Sequence, residues 1–271
     1  LSPIRKVLSP FLSPVSSNHE NLMKLPESNH AASEHPFDEA YFHSGPYAQV
    51  SFQKYSQYWW SNRFYATLAR KHGPQQGRVL ELGCGLGHLL ARLASSFDVY
   101  GSDINEWALE QARQNVPSGH FDLLSAEELS AYPDGTFQIV IAKHVVEHLP
   151  HHEKAIAEMA RILAPGGLLL LATPNLDSPM RARKKEHWIG YQDKTHISLK
   201  APAEWLELLN QHRIKARKVF SDGFWDAPYM PILPTRLQKL LFGLPGGLQA
   251  ILGWSIIPLQ WGESLIVLAD R

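Results

Sequence analysis

The chain has 271 residues, no net formal charge, one cysteine, and 44% hydrophobic residues including 8 Trp. That length and apolar content can bury one large core with an appendage. The neutral balance gives no global attraction to nucleic acid, and a single cysteine excludes an internal disulfide framework or a cysteine-rich zinc site.

Composition divides the chain into residues 1–35, 36–220 and 221–271. The first part is rich in Ser, Pro and Asn without a sustained period, so it is expected to be a flexible extension that cannot offset the entropy of ordering. Arg5 and Lys6 among apolar neighbours faintly resemble a transit or membrane-contacting segment, but the apolar run is too short for a secretory signal. No segment reaches the roughly 18 uninterrupted apolar residues of a membrane span, so a soluble protein is expected. The spacing over Tyr55–Leu68 predicts a helix carrying Tyr58, Trp59, Trp60, Phe64 and Tyr65. Such a stripe either packs over a sheet or closes as a lid. Strand-like runs at Arg78–Leu82, Val99–Ser102, Gln138–Ala142 and Leu168–Thr173 then alternate with helical patterns, which argues for a parallel sheet covered by helices on both faces. Ligands of such sheets sit outside the carboxyl ends of the strands.

The first strand runs into Val79-Leu-Glu-Leu-Gly-Cys-Gly-Leu-Gly-His-Leu-Leu90, with Gly83, Gly85 and Gly87 at alternate positions. Glycines there permit positive φ and let a ligand touch the backbone, so a small polar ligand is expected. A dinucleotide fingerprint needs a third glycine where this chain has His88, and the Lys-Ser/Thr of a phosphate loop is missing. Cys84 lies inside the turn and reads as a small tolerated residue, shielded by whatever binds there, rather than a nucleophile. Asp103 ends the second strand about 20 residues on, where a carboxylate can accept hydrogen bonds from both hydroxyls of a ribose. Its other reading is a helix N-cap, since Trp107, Ala108 and Ala112 follow at helical spacing. Within Asp122-Leu-Leu-Ser-Ala-Glu-Glu128, the Ala126 amide and a nearby carboxylate could hold an adenine.

Lys143-His-Val-Val-Glu-His148 follows the Gln138–Ala142 strand. Helical i, i+3 and i+4 spacing gathers His144, Glu147 and His148 on one side. Imidazole and carboxylate there suit a general base near neutral pH, or ligation of a divalent metal that acidifies a catechol-like hydroxyl. The alternative is that Glu147 and His148 only cap and orient the loop. After Thr173-Pro-Asn175 comes a segment with Arg181, Arg183, Lys184 and Lys185 beside His187, Trp188 and Tyr191. It reads as a solvated charge run or a site for an anionic head group. His196 is a second candidate base. Glu204–Gln211 reads as a helix and Arg217–Phe220 as a strand. Two short apolar-faced helices, Ile232–Phe242 and Leu248–Ile257, are expected to break at Gly243-Leu-Pro-Gly-Gly247 before a last strand over Trp261–Leu268. They either line a lipophilic pocket, lie in a membrane interface, or pack on the sheet.

Over about Gly77 to Ala172 these motifs resemble the class I S-adenosylmethionine-dependent methyltransferases. The likeness rests on VLELGCGLG, on Asp103, on SAEEL (Ser125 to Leu129), on FQIVIAKHVVEHL (Phe137 to Leu149) and on LAPGGLLLLATPN (Leu163 to Asn175). Lys194-Thr-His196 and Ala201-Pro-Ala-Glu204, together with SAEEL and VEHL, are similar to the small-molecule branch that includes the quinone-biosynthesis O-methyltransferases. The resemblance implies an α/β fold with a doubly wound, mostly parallel seven-stranded Rossmann-like sheet, and a helical insertion before the last strand. It implies S-adenosylmethionine as cofactor and S-adenosylhomocysteine as product, held by Glu81, Gly83, Cys84, Gly85, Gly87, Asp103, Ile104, Ala126, Glu127 and the Lys143 backbone. His148, His196, Glu147 and His144 are then the candidates for chemistry on a small or lipid-linked acceptor, through oxygen first. N- or C-methylation of a small molecule or glycan and a non-catalytic cofactor-binding module stay open. A nicotinamide oxidoreductase is opposed by His88. Amino-group methylation of RNA is opposed by the neutral charge and by Ala-Lys-His where N/D-P-P-Y/F would stand. A divalent metal is compatible but not predicted, because the quinone enzymes have Glu where this chain has His144. The expected setting is cytoplasmic with no nucleic-acid partner, and peripheral membrane contact is left open.

Overall fold

The computed structural model describes residues 50–271, and the expected extension over 1–35 lies outside them. Seven strands form one sheet: β1 (Arg78–Leu82), β2 (Asp98–Asp103), β3 (His120–Leu123), β4 (Phe137–Lys143), β5 (Leu163–Pro174), β6 (Lys215–Phe220) and β7 (Ser264–Asp270). Their order is β3-β2-β1-β4-β5-β7-β6. The pairs among β1 to β5 are parallel, and β7 runs antiparallel to both β5 and β6. The helices are α1 (Gln57–His72), α2 (Leu90–Leu93), α3 (Glu106–Asn115), α4 (His152–Ile162), α5 (Pro179–Lys184), α6 (Ile189–Gln192), α7 (Pro202–Gln211) and α8 (Thr235–Leu252).

Side-chain alternation along the strands divides the core into two layers. Val79, Ile139, Ile141, Leu168 and Leu170 face one side with Phe64 and Leu68 of α1 and Leu109 of α3. Leu80, Leu82, Val140, Leu169 and Leu171 face the other with Ile156 and Met159 of α4 and Trp205 of α7. Because both faces are covered, Leu168 to Leu171 are all buried in succession, the pattern of an internal parallel strand. Each such leucine contributes about 1.5–3 kcal/mol through burial.

Several boundaries differ from the sequence reading for identifiable reasons. Helix α1 begins two residues after Tyr55, because the Ser56 side chain accepts the Trp59 amide at 3.1 Å and caps it. Tyr55 itself has φ 68 and lies outside the helix. The last strand starts at Ser264 rather than Trp261, after a 3-10 turn over Leu259–Trp261. The two expected C-terminal helices are one helix, α8, with Pro245 inside it. Proline removes one internal hydrogen bond, but both halves are pinned to adjoining backbone. Gln238 takes the Tyr229 and Met230 amides and donates to the Met230 and Leu233 carbonyls. Gln249 donates to the Ser221 carbonyl and takes the Ile256 and Ile257 amides.

Candidate functional site

The carboxyl ends of β1, β2 and β4 converge on the glycine turn. Gly83, Gly85 and Gly87 have φ of 61°, 50° and 74°, the region that L side chains avoid. At Gly83 a β-carbon would also come within 2.7 Å of Val145. Asp103 closes the turn from β2: its Oδ2 accepts the Gly85 amide at 2.8 Å and its Oδ1 the Asn105 amide at 3.0 Å. Burial pushes its carboxyl up from the usual value, opposed by the backbone amides of Gly85, Asn105 and Ile104. Asn105 caps α3 by accepting the Ala108 amide, so the N-cap reading of Asp103 gives way to a carboxylate aimed at the turn. Ile104 and, one strand over, Leu123 expose their apolar side chains at this edge, and Ala126 is buried. Glu127 accepts the His151 amide at 2.6 Å, which fixes the loop after β3 to the start of α4. Cys84 is buried and its thiol is pushed up by burial. The fold itself therefore shields it, where shielding by ligand was expected.

Beside the turn lies a buried polar group that the sequence did not reveal. Lys143, at the end of β4, donates to Asn62 Oδ1 of α1 at 2.9 Å, and its ammonium lies 5.1 and 5.2 Å from the ring centres of Tyr58 and Tyr65. Glu81, near the end of β1, is buried with Oε2 lacking a protein hydrogen-bond partner, as do Asn62 Nδ2 and the Tyr65 hydroxyl. Burial drives both ionisable groups toward neutrality, Glu81 up to about 8 and Lys143 down to about 8, while their mutual attraction opposes it. The aromatic helix thus packs on the sheet, the first of the two roles read for it, and brings Asn62 and Tyr65 against Lys143.

The third group follows β4. His144 has φ 54, an uncommon conformation for a residue with a side chain. It is held there by its amide, which donates to the Ala172 carbonyl at 2.8 Å. His144 Nδ1 lies 3.1 Å from Glu147 Oε1, as the i, i+3 spacing predicts. Glu147 is fully buried and its Oε2 lacks a partner. Burial pushes its carboxyl up, but the hydrogen bond and charge of His144, with His148, hold it below the ordinary value. His148 is held by Thr195. Thr195 Oγ1 donates to Asp193 Oδ1 at 2.6 Å, so it accepts from His148 Nδ1 at 2.9 Å, and the Thr195 carbonyl lies 3.2 Å from the same nitrogen. Nδ1 therefore carries the proton and Nε2 is the basic nitrogen. His196 is fixed likewise by Nδ1 donating to the Gly190 carbonyl at 2.7 Å. The two imidazoles lie 4.7 Å apart. Glu147, His148 and His196 each bring one ligand atom within 4.8 Å of the others, a donor set that a divalent transition ion accepts.

The segment after β5 forms one wall. Of its four cations Lys184 is drawn in, paired with the Asp226 carboxylate, and Arg183 donates to the Tyr229 carbonyl at 2.7 Å while staying exposed, as Lys185 does. Glu263, also unforeseen, is buried, accepting from Trp188 at 2.6 Å and Ser178 at 3.1 Å. A shallow depression of about 580 Å³ lined by Gly77, Arg78, Ser95, Asp98 and Thr136 lies instead at the amino ends of the strands, away from where such sheets bind ligands.

A methyltransferase-domain family matches residues 52–213, more than half of the chain. The chain belongs to that family. It is 30% identical over 166 residues to a trans-aconitate 2-methyltransferase of Variovorax paradoxus, covering 59% of this chain and 58% of that one. It is 35% identical over 103 residues to a ubiquinone biosynthesis O-methyltransferase of Thiobacillus denitrificans, covering 36% and 44%. The chain thus spans about half the length of these curated relatives. Its fold matches a S-adenosylmethionine-dependent methyltransferase of Archaeoglobus fulgidus with TM-score 0.55, 17% identity, and coverage of 78% of this chain and 94% of that one. A geranyl diphosphate C-methyltransferase of Streptomyces coelicolor matches with TM-score 0.54, 14% identity, and coverage of 76% and 78%. The seven-stranded methyltransferase sheet with a helical segment before its last strand is the expected architecture.

Proposed function

We propose that this methyltransferase domain moves a methyl group from S-adenosylmethionine to a hydroxyl oxygen of a small or lipid-linked acceptor, in the cytoplasm and with access to a membrane surface. The observation that carries the reading is the Asp193–Thr195–His148 relay, which leaves Nε2 of His148 as the basic nitrogen beside His196 and the buried Glu147 carboxylate.

The residues fit the cofactor. Gly83 and Gly85, at positive φ, leave backbone open at the turn, whereas Gly87 is buried against Ala112 of α3, and Asp103 retains lone pairs for ribose hydroxyls beyond the two amides it accepts. Ile104 and the Ala126 amide suit the flat base, and Glu81 Oε2 offers an acceptor beside the turn. Gly87, Glu127 and the Lys143 backbone hold the surrounding loops. When bound, the cofactor supplies an electrophilic methyl on a sulfonium. His148 Nε2 would take the acceptor's hydroxyl proton, and Glu147 would stabilise the imidazolium that forms. Orientation of the acceptor against the methyl supplies much of the rate, and the base about 10²–10⁴-fold.

Transfer of label from S-adenosylmethionine to phenolic acceptors, with and without a lipid tail, tests this. The wild type should label an acceptor, and His148→Ala should lose about 10²–10⁴-fold in turnover while binding S-adenosylhomocysteine normally. Retained turnover in both His148→Ala and His196→Ala would end the case for these bases. Loss of activity in EDTA, restored by zinc or manganese, would favour a second reading in which Glu147, His148 and His196 hold a metal.

A further inference from the structure

Helix α8 turns Phe242 and Ala250 inward, against Tyr229 and the core, but leaves its leucines outside. Its inward stripe contains Gln238 and Gln249, both buried. At Gly246 the helix lies so close to the Asp222 carbonyl that a side chain would collide with it. Its outward side carries Leu237, Leu240, Leu241, Leu244, Leu248 and Ile251, between 41% and 61% exposed. Positions 237, 241, 244, 248 and 251 recur at alternating steps of four and three, one continuous stripe on a helix. Exposed apolar groups flank it along the chain: Ile232 before the helix, Trp254 and Ile256 after it. From Ala227 to Gly262 the sequence has no Asp or Glu, whereas Arg236 and Lys239 are exposed cations. No helix among the described residues is long and apolar enough to cross a membrane.

We propose that the outward side of α8 is a docking surface for an anionic phospholipid bilayer, with the helix lying in the interface. This rests on the lipid-linked acceptor reading above, and names the surface through which such an acceptor is reached. An apolar stripe flanked by cations and Trp, without acidic residues, matches acyl chains below and negative headgroups around. A second copy is a poorer occupant, because a two-fold contact would set the same cations against their counterparts with no acidic residue of the segment to pair. The helix also adjoins the site. Arg63 of α1 donates to the Ala250 and Ile251 carbonyls at 3.3 and 2.8 Å, and Lys71 to the Gly253 carbonyl at 3.4 Å. The same α1 carries Asn62 and Tyr65, which meet Lys143. Docking at α8 therefore places a bilayer beside the helix that meets Lys143.

Co-sedimentation of the full chain with phosphatidylcholine vesicles, with and without phosphatidylglycerol, tests the proposal. The wild type should pellet with vesicles, more strongly when phosphatidylglycerol is present. The double substitution Leu241→Glu with Leu248→Glu should lower partitioning at least about tenfold, and Arg236→Ala with Lys239→Ala should remove the preference for phosphatidylglycerol. Each variant should keep the wild-type affinity for S-adenosylhomocysteine, and label transfer to a water-soluble acceptor should be unchanged, which separates this proposal from the methyl-transfer reading. Wild type that stays in solution with both vesicle types overturns the proposal, as does equal pelleting of the glutamate variant. A wild-type dimer that ignores vesicles and dissociates in the glutamate variant would assign the surface to a second copy.

Discussion

Strand β5 and helix α8 are both leucine-rich, yet they place their leucines oppositely. Leu168 to Leu171 are buried because helices cover both faces of the sheet, and their side chains join the two apolar core layers. Behind α8 stands irregular backbone, Ser221 to Leu233, whose amides and carbonyls need partners. Gln238 supplies them for Tyr229, Met230 and Leu233 and Gln249 for Ser221, Gln249 also accepting the Ile256 and Ile257 amides beyond the helix, and the leucines are left facing outward. What an element turns inward is decided by what lies behind it, not by its own composition.

That contrast predicts a ranking of effects. Leu170→Ala should lower unfolding free energy by about 2–5 kcal/mol, whereas Leu241→Ala should change it by no more than about 0.5 kcal/mol. Urea melts of the two variants would erase the contrast if they shifted equally. Gln249→Leu comes next, at about 1–3 kcal/mol lost, since it strands the Ser221 carbonyl and two amides. A gain in stability would show that α8 is an ordinary helix packed by apolar contact. The smallest effect is that of pH on the site. Burial lowers His148 below the ordinary imidazole value, opposed by Glu147. A neutral His148 thus adds stability that is full above pH 6.5 and fades as pH falls from there toward the lowered value. With His148 as the proposed base, turnover requires the same neutral form, and its acidic limb should have its midpoint below 6.5. His148→Asn should remove that limb from the residual rate, and an unchanged profile would assign it to another group.

The glycine turn, Asp103 and the strands around them were legible because their information is local: alternating apolar residues, three glycines, and one carboxylate at a strand end. The i, i+3 contact of His144 with Glu147 was legible for the same reason. The pairing of His148 with Thr195 was not, since 47 residues separate them, nor that of Lys143 with Asn62, 81 apart. Lys143 entered the sequence reading only through its backbone. The one signal for its side chain was a lysine ending an otherwise apolar strand, where burial demands a partner. The single α8 was missed because Gly-Pro-Gly-Gly is a local stop signal. What overrides it is tertiary, Gln238 tying one half to the backbone of Tyr229 to Leu233 and Gln249 tying the other to Ser221, Ile256 and Ile257.

The central claim is that the turn from Gly83 to Gly87 and the Asp103 carboxylate form a cofactor site. Calorimetric titration with S-adenosylhomocysteine tests it most directly, on the wild type and on Asp103→Ala. The account predicts saturable micromolar binding to the wild type and at least about tenfold weaker binding to the variant, the loss of one or more charge-assisted hydrogen bonds. No binding to the wild type, or equal binding by the two, would contradict it.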